Sequence, residues 1–335
     1  MKRRWPLAAA VLAAVLGASG GVPVAAEPTK LRLQYGSATG QYVPIMPLAP
    51  KELYRHYGKS YTVEPYFMAG AGPALTALAA GEIDLAGMGP QTVANAVIEA
   101  KLDLRSIVQV LSTDVPGWNQ NEFWAKDTIK STAELKGKTI AVNSRNTSND
   151  ATIRIVLGRL GMKDGQDYQI VELRFPAILP ALESGRIDAG ILVLPFNLRT
   201  SGKGLRPVFS TADAFGPGEA VTWTGKADWI AKNRAMLVDF VEDHLRFRHW
   251  ALDPATRLEA VKLMAQVEKQ PLENYAAWLY TTKDNYRHPD GLIDLARYQK
   301  NVDDLHKAGV LPGTIDASRY VDLTIAREAA ARVNR

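Results

Sequence analysis

The phrase Ala77-Leu78-Ala79-Ala80-Gly81-Glu82-Ile83-Asp84 returns 104 residues later as Ala181-Leu182-Glu183-Ser184-Gly185-Arg186-Ile187-Asp188. A single recurrence at that distance is too wide for a solenoid period, and it divides the chain into two units of similar design. The surrounding segments keep the same frame. In the first unit Leu31, Leu33 and Tyr35 alternate as a strand, Gly36 to Gln41 form a polar loop, and a helix holding Leu48, Leu53 and Tyr54 is expected. In the second, Thr139 to Val142 read as the strand, Asn143 to Ser148 as the loop, and Ala151 to Leu160 as the helix, stopped by Gly161. Each unit continues with another strand (Tyr61 to Glu64; Tyr168 to Val171), a helix ending at the repeated glycine, and one more strand. Strands alternating with helices argue a mainly parallel sheet, so the expected class is α/β with two lobes.

Pro/Gly punctuation marks two crossings between the lobes, one around Asp114 to Asn119 and one from Phe215 to Thr224. The expected division is a leader at 1–26, a first lobe made of 27–114 and 222–335, and a second lobe at 115–221. Past the second crossing the chain reads as helical. Met236, Leu237, Phe240, Val241 and Leu245 share one apolar face before Pro254, and Leu292, Leu295, Val302 and Leu305 share another before Gly309. These helices are expected to pack on the first lobe.

With 335 residues, 47% of them hydrophobic, the chain can bury two sizeable cores. Lys2, Arg3 and Arg4 precede an apolar stretch from Leu7 to Leu16 that is too short to span a bilayer, and Val24 and Ala26 have the spacing a signal peptidase needs. Export to a periplasm with cleavage after Ala26 is the expectation. The formal charge of +5 then loses three of its cations with the leader. No block of like charge follows, so neither nucleic acid nor a membrane surface is an expected partner. The cysteine count is zero, which excludes a disulfide framework, a thiol nucleophile, thiolate metal sites and a lipidated amino-terminal Cys.

Catalytic signatures are missing. His56, His244, His249, His288 and His306 form no metal-binding spacing and are expected at surfaces or helix ends. Gly137-Lys138-Thr139 imitates the end of a P-loop, but Thr132 stands where the upstream glycine belongs. Gly70-Ala71-Gly72 lacks the third glycine of a dinucleotide fingerprint. Asp84 and Asp188 could pass for a carboxylate pair, yet one in each copy of a repeat reads as a device fixing equivalent loops. No catalytic residue, cofactor or metal is expected.

What remains is a set of loops at the carboxyl ends of parallel strands, where open α/β sheets bind ligands and helix amino-termini suit small anions. Thr147 and Ser148 have two readings, helix capping and ligand contact. Arg145, the clearest cation in these loops, also has two: pairing with an anionic solute, or tying the loop to its own lobe.

At this point the chain resembles a family, the periplasmic solute-binding proteins of nitrate, sulfonate and taurine importers of the ABC type. The resemblance is carried by Ala77-Leu78-x-x-Gly81-x-Ile83-Asp84 with Gly87 to Pro90 after it, by Glu134-Leu135-Lys136-Gly137-Lys138-Thr139-Ile140-Ala141-Val142, by the second copy of the repeat, and by the tail through Tyr320-Val321-Asp322. It implies the two-lobed type II-like periplasmic-binding-protein fold, with two crossover strands and a helical carboxyl-terminal segment on the first lobe. It also implies a monomer that delivers a small solute to a permease in the inner membrane. Family contacts carried onto this chain are Ser37, Thr39, Gln41 and Tyr42, then Ala71 and Gly72, Gly89, Pro90 and Gln91, and Ser144, Arg145, Asn146, Thr147 and Ser148. Trp223, at the second crossing, is expected beside them. The second-lobe loop departs from the family's usual Gly followed by Ser or Thr, having Asn143-Ser144-Arg145-Asn146 there, so sulfonates, carboxylates, aromatic acids and nitrogenous heterocycles all stay open. A sensory binding protein, or an enzyme on the same fold related to synthesis of the thiamine pyrimidine, are the competing functions.

Overall fold

The computed structural model describes residues 27–334 apart from Ala69 and Asn146, so the leader expected at 1–26 and one site residue lie outside the described residues. In chain order the elements are β1 (Thr29–Tyr35), α1 (Ala38–Gln41), β2 (Tyr61–Phe67), α2 (Ala71–Ala80), β3 (Ala86–Met88), α3 (Pro90–Ile98), β4 (Leu104–Thr113), β5 (Glu122–Lys126), β6 (Thr139–Val142) and α4 (Ser148–Gly158). There follow β7 (Gln169–Glu172), α5 (Phe175–Glu183), β8 (Ala189–Leu192), β9 (Leu205–Ser210), α6 (Thr211–Phe215), β10 (Gly218–Lys226) and α7 (Ala227–Lys232). The last five are α8 (Arg234–Leu252), α9 (Arg257–Glu268), α10 (Glu273–Ala276), α11 (Leu295–Lys307) and α12 (Leu323–Val333).

Two sheets of one design result. The first runs β2-β1-β3-β10-β4, its two parts joined by the parallel bridge Leu33–Leu85, and the second runs β7-β6-β8-β5-β9. In each, four strands run one way and the fourth in spatial order runs against them: β10 is antiparallel to β3 and β4, and β5 to β8 and β9. That reversed strand is the one that has just crossed from the other lobe, β5 after β4 and β10 after β9. The mainly parallel, two-lobed α/β fold read from the sequence is therefore the observed one. The return strand begins at Gly218, where it pairs with Thr113, earlier than Thr222.

The repeat has a structural explanation. Gly81 and Gly185 end α2 and α5 in the left-handed region, at φ 75° and 73°, where a side chain would be strained. Three residues on, Asp84 accepts the backbone N–H of Arg32 at 2.9 Å, and Asp188 accepts that of Thr139 at 2.9 Å. Each aspartate thus fastens the strand after the helix to the first strand of its own unit.

One expected element is absent. Residues 43–54 form only short 3-10 turns, at Met46–Leu48 and Lys51–Leu53. Pro44, Pro47 and Pro50 recur every third residue there and remove the N–H groups an α-helix needs.

The second lobe closes around an apolar core that includes Phe123, Ile140, Leu157, Ile178, Leu182 and Ile191, with Phe123 and Phe209 stacked at 4.4 Å. The first lobe's core includes Leu31, Leu33, Tyr61, Val108, Phe240, Val241 and Leu245, so α8 packs where its apolar face predicted. That helix also buries Glu242, Asp243, His244 and Arg248. His244 is therefore not the surface histidine expected; it is completely buried, and burial holds its pKa well below the ordinary value, keeping it neutral.

Candidate functional site

The chain crosses between lobes at residues 114–121 and again at 211–217, and the two crossings are tied to each other. Asp114, with φ at 59°, accepts the Asn121 N–H at 2.8 Å and the Thr211 hydroxyl at 2.5 Å, and the Thr211 N–H donates to the Asn121 carbonyl at 2.9 Å. Burial raises the pKa of Asp114, opposed by those donors. β10 carries the second buried carboxylate of the region. Glu219 accepts the Ser112 hydroxyl at 3.0 Å and lies 3.6 Å from Arg297, yet burial pushes it up to about 7.

Around these crossings lies a cavity of about 450 Å³ walled by both lobes. The first lobe contributes Gly87, Gly89 to Thr92 and Gly218 to Val221; the second contributes Asn143, Thr147 to Asn149, Phe175 and Val193. The amino-termini of α3 and α4 therefore reach it from opposite sheets. At α3 the N-cap is Gly89, which has no side chain to cap the helix, and Pro90 follows it as the first helical residue. Gly89 is dictated by space: a Cβ would come 2.7 Å from the Ala220 carbonyl oxygen. Gly87 is dictated likewise, because a side chain there would overlap the Gln41 amide.

Of the residues expected at the site, the cavity gathers Gly89, Pro90, Gln91, Thr147 and Ser148. The two readings of the α4 hydroxyls divide between them. Thr147 caps the helix, accepting from the Asp150 N–H at 3.5 Å while donating to the Ser144 carbonyl at 2.9 Å, whereas the exposed Ser148 hydroxyl engages no partner among the described residues. Ser37 caps α1 and shares a hydrogen bond with Thr39 at 2.9 Å. Gln41 folds back so that its Oε1 accepts the Gly36 N–H at 2.6 Å, which sets the turn of this loop. Gly72, in the first turn of α2, stands outside the cavity wall, as does Ser144, and the side chain of Ala71, the first residue of α2, lies outside what is described.

Three expectations are corrected. Tyr42 is fully buried, against His244, Phe247 and Tyr280, because the αL conformation that ends α1 turns it into the first lobe's core. Trp223 is likewise a core side chain, completely buried in the first lobe and outside the cavity wall. Arg145 turns away into its own lobe, where its guanidinium pairs with Asp164, approaches Asp150 at 3.6 Å and donates to the Ile170 carbonyl at 3.0 Å. Three acids draw it there, the third being Glu172, which accepts the Arg145 N–H at 2.7 Å. Sequence reading missed Thr113, Asp114, Asn121, Thr211 and Glu219 as cavity wall. The signal was present, since segments that cross between lobes necessarily line the space between them.

Among the cavity's described lining residues there is no Lys, Arg, His or Cys, and no group of metal-ligating side chains occurs among the described residues. No described helix is long and apolar enough to cross a membrane.

The same fold occurs in solved proteins. The periplasmic aliphatic sulphonate binding protein SsuA from Escherichia coli is 20% identical, with a TM-score of 0.67 over 88% of this chain and 92% of that one. The periplasmic nitrate-binding protein NrtA from Synechocystis PCC 6803 is 16% identical, with a TM-score of 0.68 over 92% and 89%. The desulfurization enzyme DSZB is 14% identical, with a TM-score of 0.61 over 92% and 100%. No curated protein matches the sequence. The resemblance read from the repeat and the Leu-Lys-Gly-Lys segment is borne out by these folds and by a family model that matches residues 24–265. The chain belongs to the NMT1-like family.

Proposed function

We propose that the chain is an exported solute-binding protein that takes a small organic anion, a sulfonate or carboxylate, between its lobes and presents it to an ABC importer. The observation that carries this reading is the approach of two helix amino-termini, α3 and α4, to one cavity from opposite sheets. A solute touching both binds the closed arrangement better than any open one and shifts the population toward it. The anion is held by N–H groups and by neutral donors such as Ser148 and Thr92 rather than by a cation, since Arg145 is engaged elsewhere. A cavity wall without His, Cys or Lys supports binding over catalysis, although DSZB is an enzyme with this fold. Export to the periplasm follows from the basic-apolar-small pattern of residues 1–26.

The test is a thermal-shift screen of sulfonates, carboxylates, aromatic acids and pyrimidines, followed by calorimetry and small-angle scattering with the best solute. An anion that raises the melting temperature and compacts the protein is expected. Tightest binding by a neutral heterocycle would overturn the anion, and binding without compaction would overturn the clamp.

A further inference from the structure

Between α10 and α11 the chain runs through residues 280–288, a segment with no equivalent in the second lobe. It buries an ion pair, Asp284 with Arg287, both almost wholly shielded from solvent and 2.7 Å apart. Neither residue lines the cavity. Replacing such a pair with apolar side chains is often neutral or stabilising, so its retention points to a fixed geometry rather than to stability.

The geometry is that of a strut. At one end the second arm of the Arg287 guanidinium donates to the Thr39 carbonyl at 3.0 Å, a contact 248 residues apart in sequence that fixes the loop after β1. The Tyr42 and Tyr280 rings lie 5.2 Å and 5.4 Å from the guanidinium carbon. Asp284 accepts the Tyr280 N–H at 3.0 Å as well as the guanidinium, which sets the pair's orientation. At the other end the Asp284 carbonyl accepts the N–H of Asn119, in the first crossing, at 3.1 Å. Tyr286 pairs with Ser112 on β4, and its ring meets Trp118 edge-on at 5.3 Å. The Asn119 side-chain carbonyl in turn accepts from Asn197 of the second lobe at 2.9 Å. One short segment therefore touches the loop after β1, the crossing and, through Asn119, the opposite lobe.

We propose that Asp284 and Arg287 are positioning residues that couple the loop at 36–42, whose Gln41 amide abuts Gly87 of the cavity wall, to the first crossing, so that a solute filling the cavity against Gly87 also sets the Asn119–Asn197 contact between the lobes. The solute half of this inference rests on the function proposed above; the mechanical half does not. Arginine is required because its fork reaches Asp284 and the Thr39 carbonyl together, which a lysine ammonium at the end of a flexible stem does not do in fixed geometry.

The test uses the full chain without solute and two variants, Arg287→Lys and the double variant Asp284→Asn/Arg287→Met, the latter leaving no unpaired buried charge. Hydrogen exchange is read by segment. Amides at 36–42 and 119–121 should exchange about tenfold faster in both variants, with β6 and β8 unchanged, as expected for a locally loosened unit. The double variant should keep a melting temperature close to that of the unaltered protein while losing that protection, and Arg287→Lys, which keeps the charge but not the fork, should not restore it. A speed-up confined to 280–288, or spread evenly over the first lobe, overturns the strut. With the best solute, the double variant should bind about tenfold more weakly, the worth of one charge-assisted hydrogen bond, and compact less. Unchanged affinity and compaction overturns the coupling. If no solute binds the unaltered protein, the proposed function fails, and the exchange result alone decides the strut.

Discussion

The two lobes share a strand order and an aspartate fastening, but they handle charge differently. The second lobe buries little charge: Asp150 is shielded within a cluster with Arg145, Arg154 and Asp164 beside α4, and the core behind them is apolar. The first lobe draws charge inside. Asp243 collects the backbone N–H groups of Arg55, His56 and Tyr57 and the Tyr61 hydroxyl, each at 2.9–3.1 Å. Arg248, completely buried and lowered by that burial to about 10, donates to the carbonyls of Gln109 at 2.6 Å and His288 at 2.5 Å. The difference follows from connectivity. The first lobe must anchor irregular backbone, the turn at 55–57 after the proline-rich stretch and the segment at 280–288, where few N–H and C=O groups join a ladder. Buried charges supply the missing partners. The second lobe, built from consecutive strands and helices, has fewer such groups to satisfy.

This contrast can be broken most directly at Asp243. Asp243→Ala strands three backbone donors and a hydroxyl, so denaturant unfolding should show a loss of about 4 kcal/mol. Leu182→Ala in the second lobe's core should cost about 3 kcal/mol, as a cavity does. An Asp243→Ala cost well below that of Leu182→Ala would mean that the first lobe does not rest on its buried charge.

The next effect depends on pH. Burial raises Glu219 from an ordinary 4.5 to about 7, so the native state holds a proton that the unfolded chain has already lost between those values. Stability should therefore be fully present below about 4.5 and fall as pH rises through 7, by at most about 3 kcal/mol. Glu219→Gln should flatten that slope in melting curves taken from pH 5 to 8. An unchanged slope would show that Arg297 and Ser112 keep Glu219 ionised.

The repeated aspartates sharpen the comparison further. Asp84 is buried and takes both arms of Arg32, at 3.1 Å and 2.6 Å, whereas Asp188 is half exposed, with Lys138 at 3.5 Å. Asp84→Ala should cost about 2–3 kcal/mol and Asp188→Ala about 1 kcal/mol, measured by urea unfolding. Equal costs would indicate that only the backbone bond common to both matters. The smallest effect is expected at Arg145. Arg145→Ala should lower stability by at most about 1 kcal/mol and leave solute affinity unchanged in calorimetry. A large loss of affinity would bring Arg145 back to the solute.

Most of the architecture was legible because period and punctuation carry it. The two copies of Ala-Leu-x-x-Gly-x-Ile-Asp sit at the same place in both sheets, and the strands at 31–35, 61–64, 139–142 and 168–171 were read within a few residues of their observed bounds. The site was less legible, for a physical reason. Which way a loop side chain turns depends on charges far away in sequence, such as Asp164 for Arg145, or on the handedness of one residue, as for Tyr42. Trp223 shows the limit within a strand: the alternation puts it on one face or the other, and only the packed first-lobe core decides which face that is.

The reversed strand in each sheet has a consequence for the order in which the molecule assembles. All five strands of the second lobe lie between residues 122 and 210, so that sheet can be completed from one continuous stretch of chain. The first lobe cannot do this. Its β10 slots between β3 and β4 only after the whole second lobe has been made, and its core waits for α8 and α12 beyond. Contacts of such long sequence separation form slowly. A chain folding from its amino end would thus carry β1 to β4 as an open, apolar-edged half-sheet until residue 226 is available. The lobe that comes first in sequence is the one that finishes last.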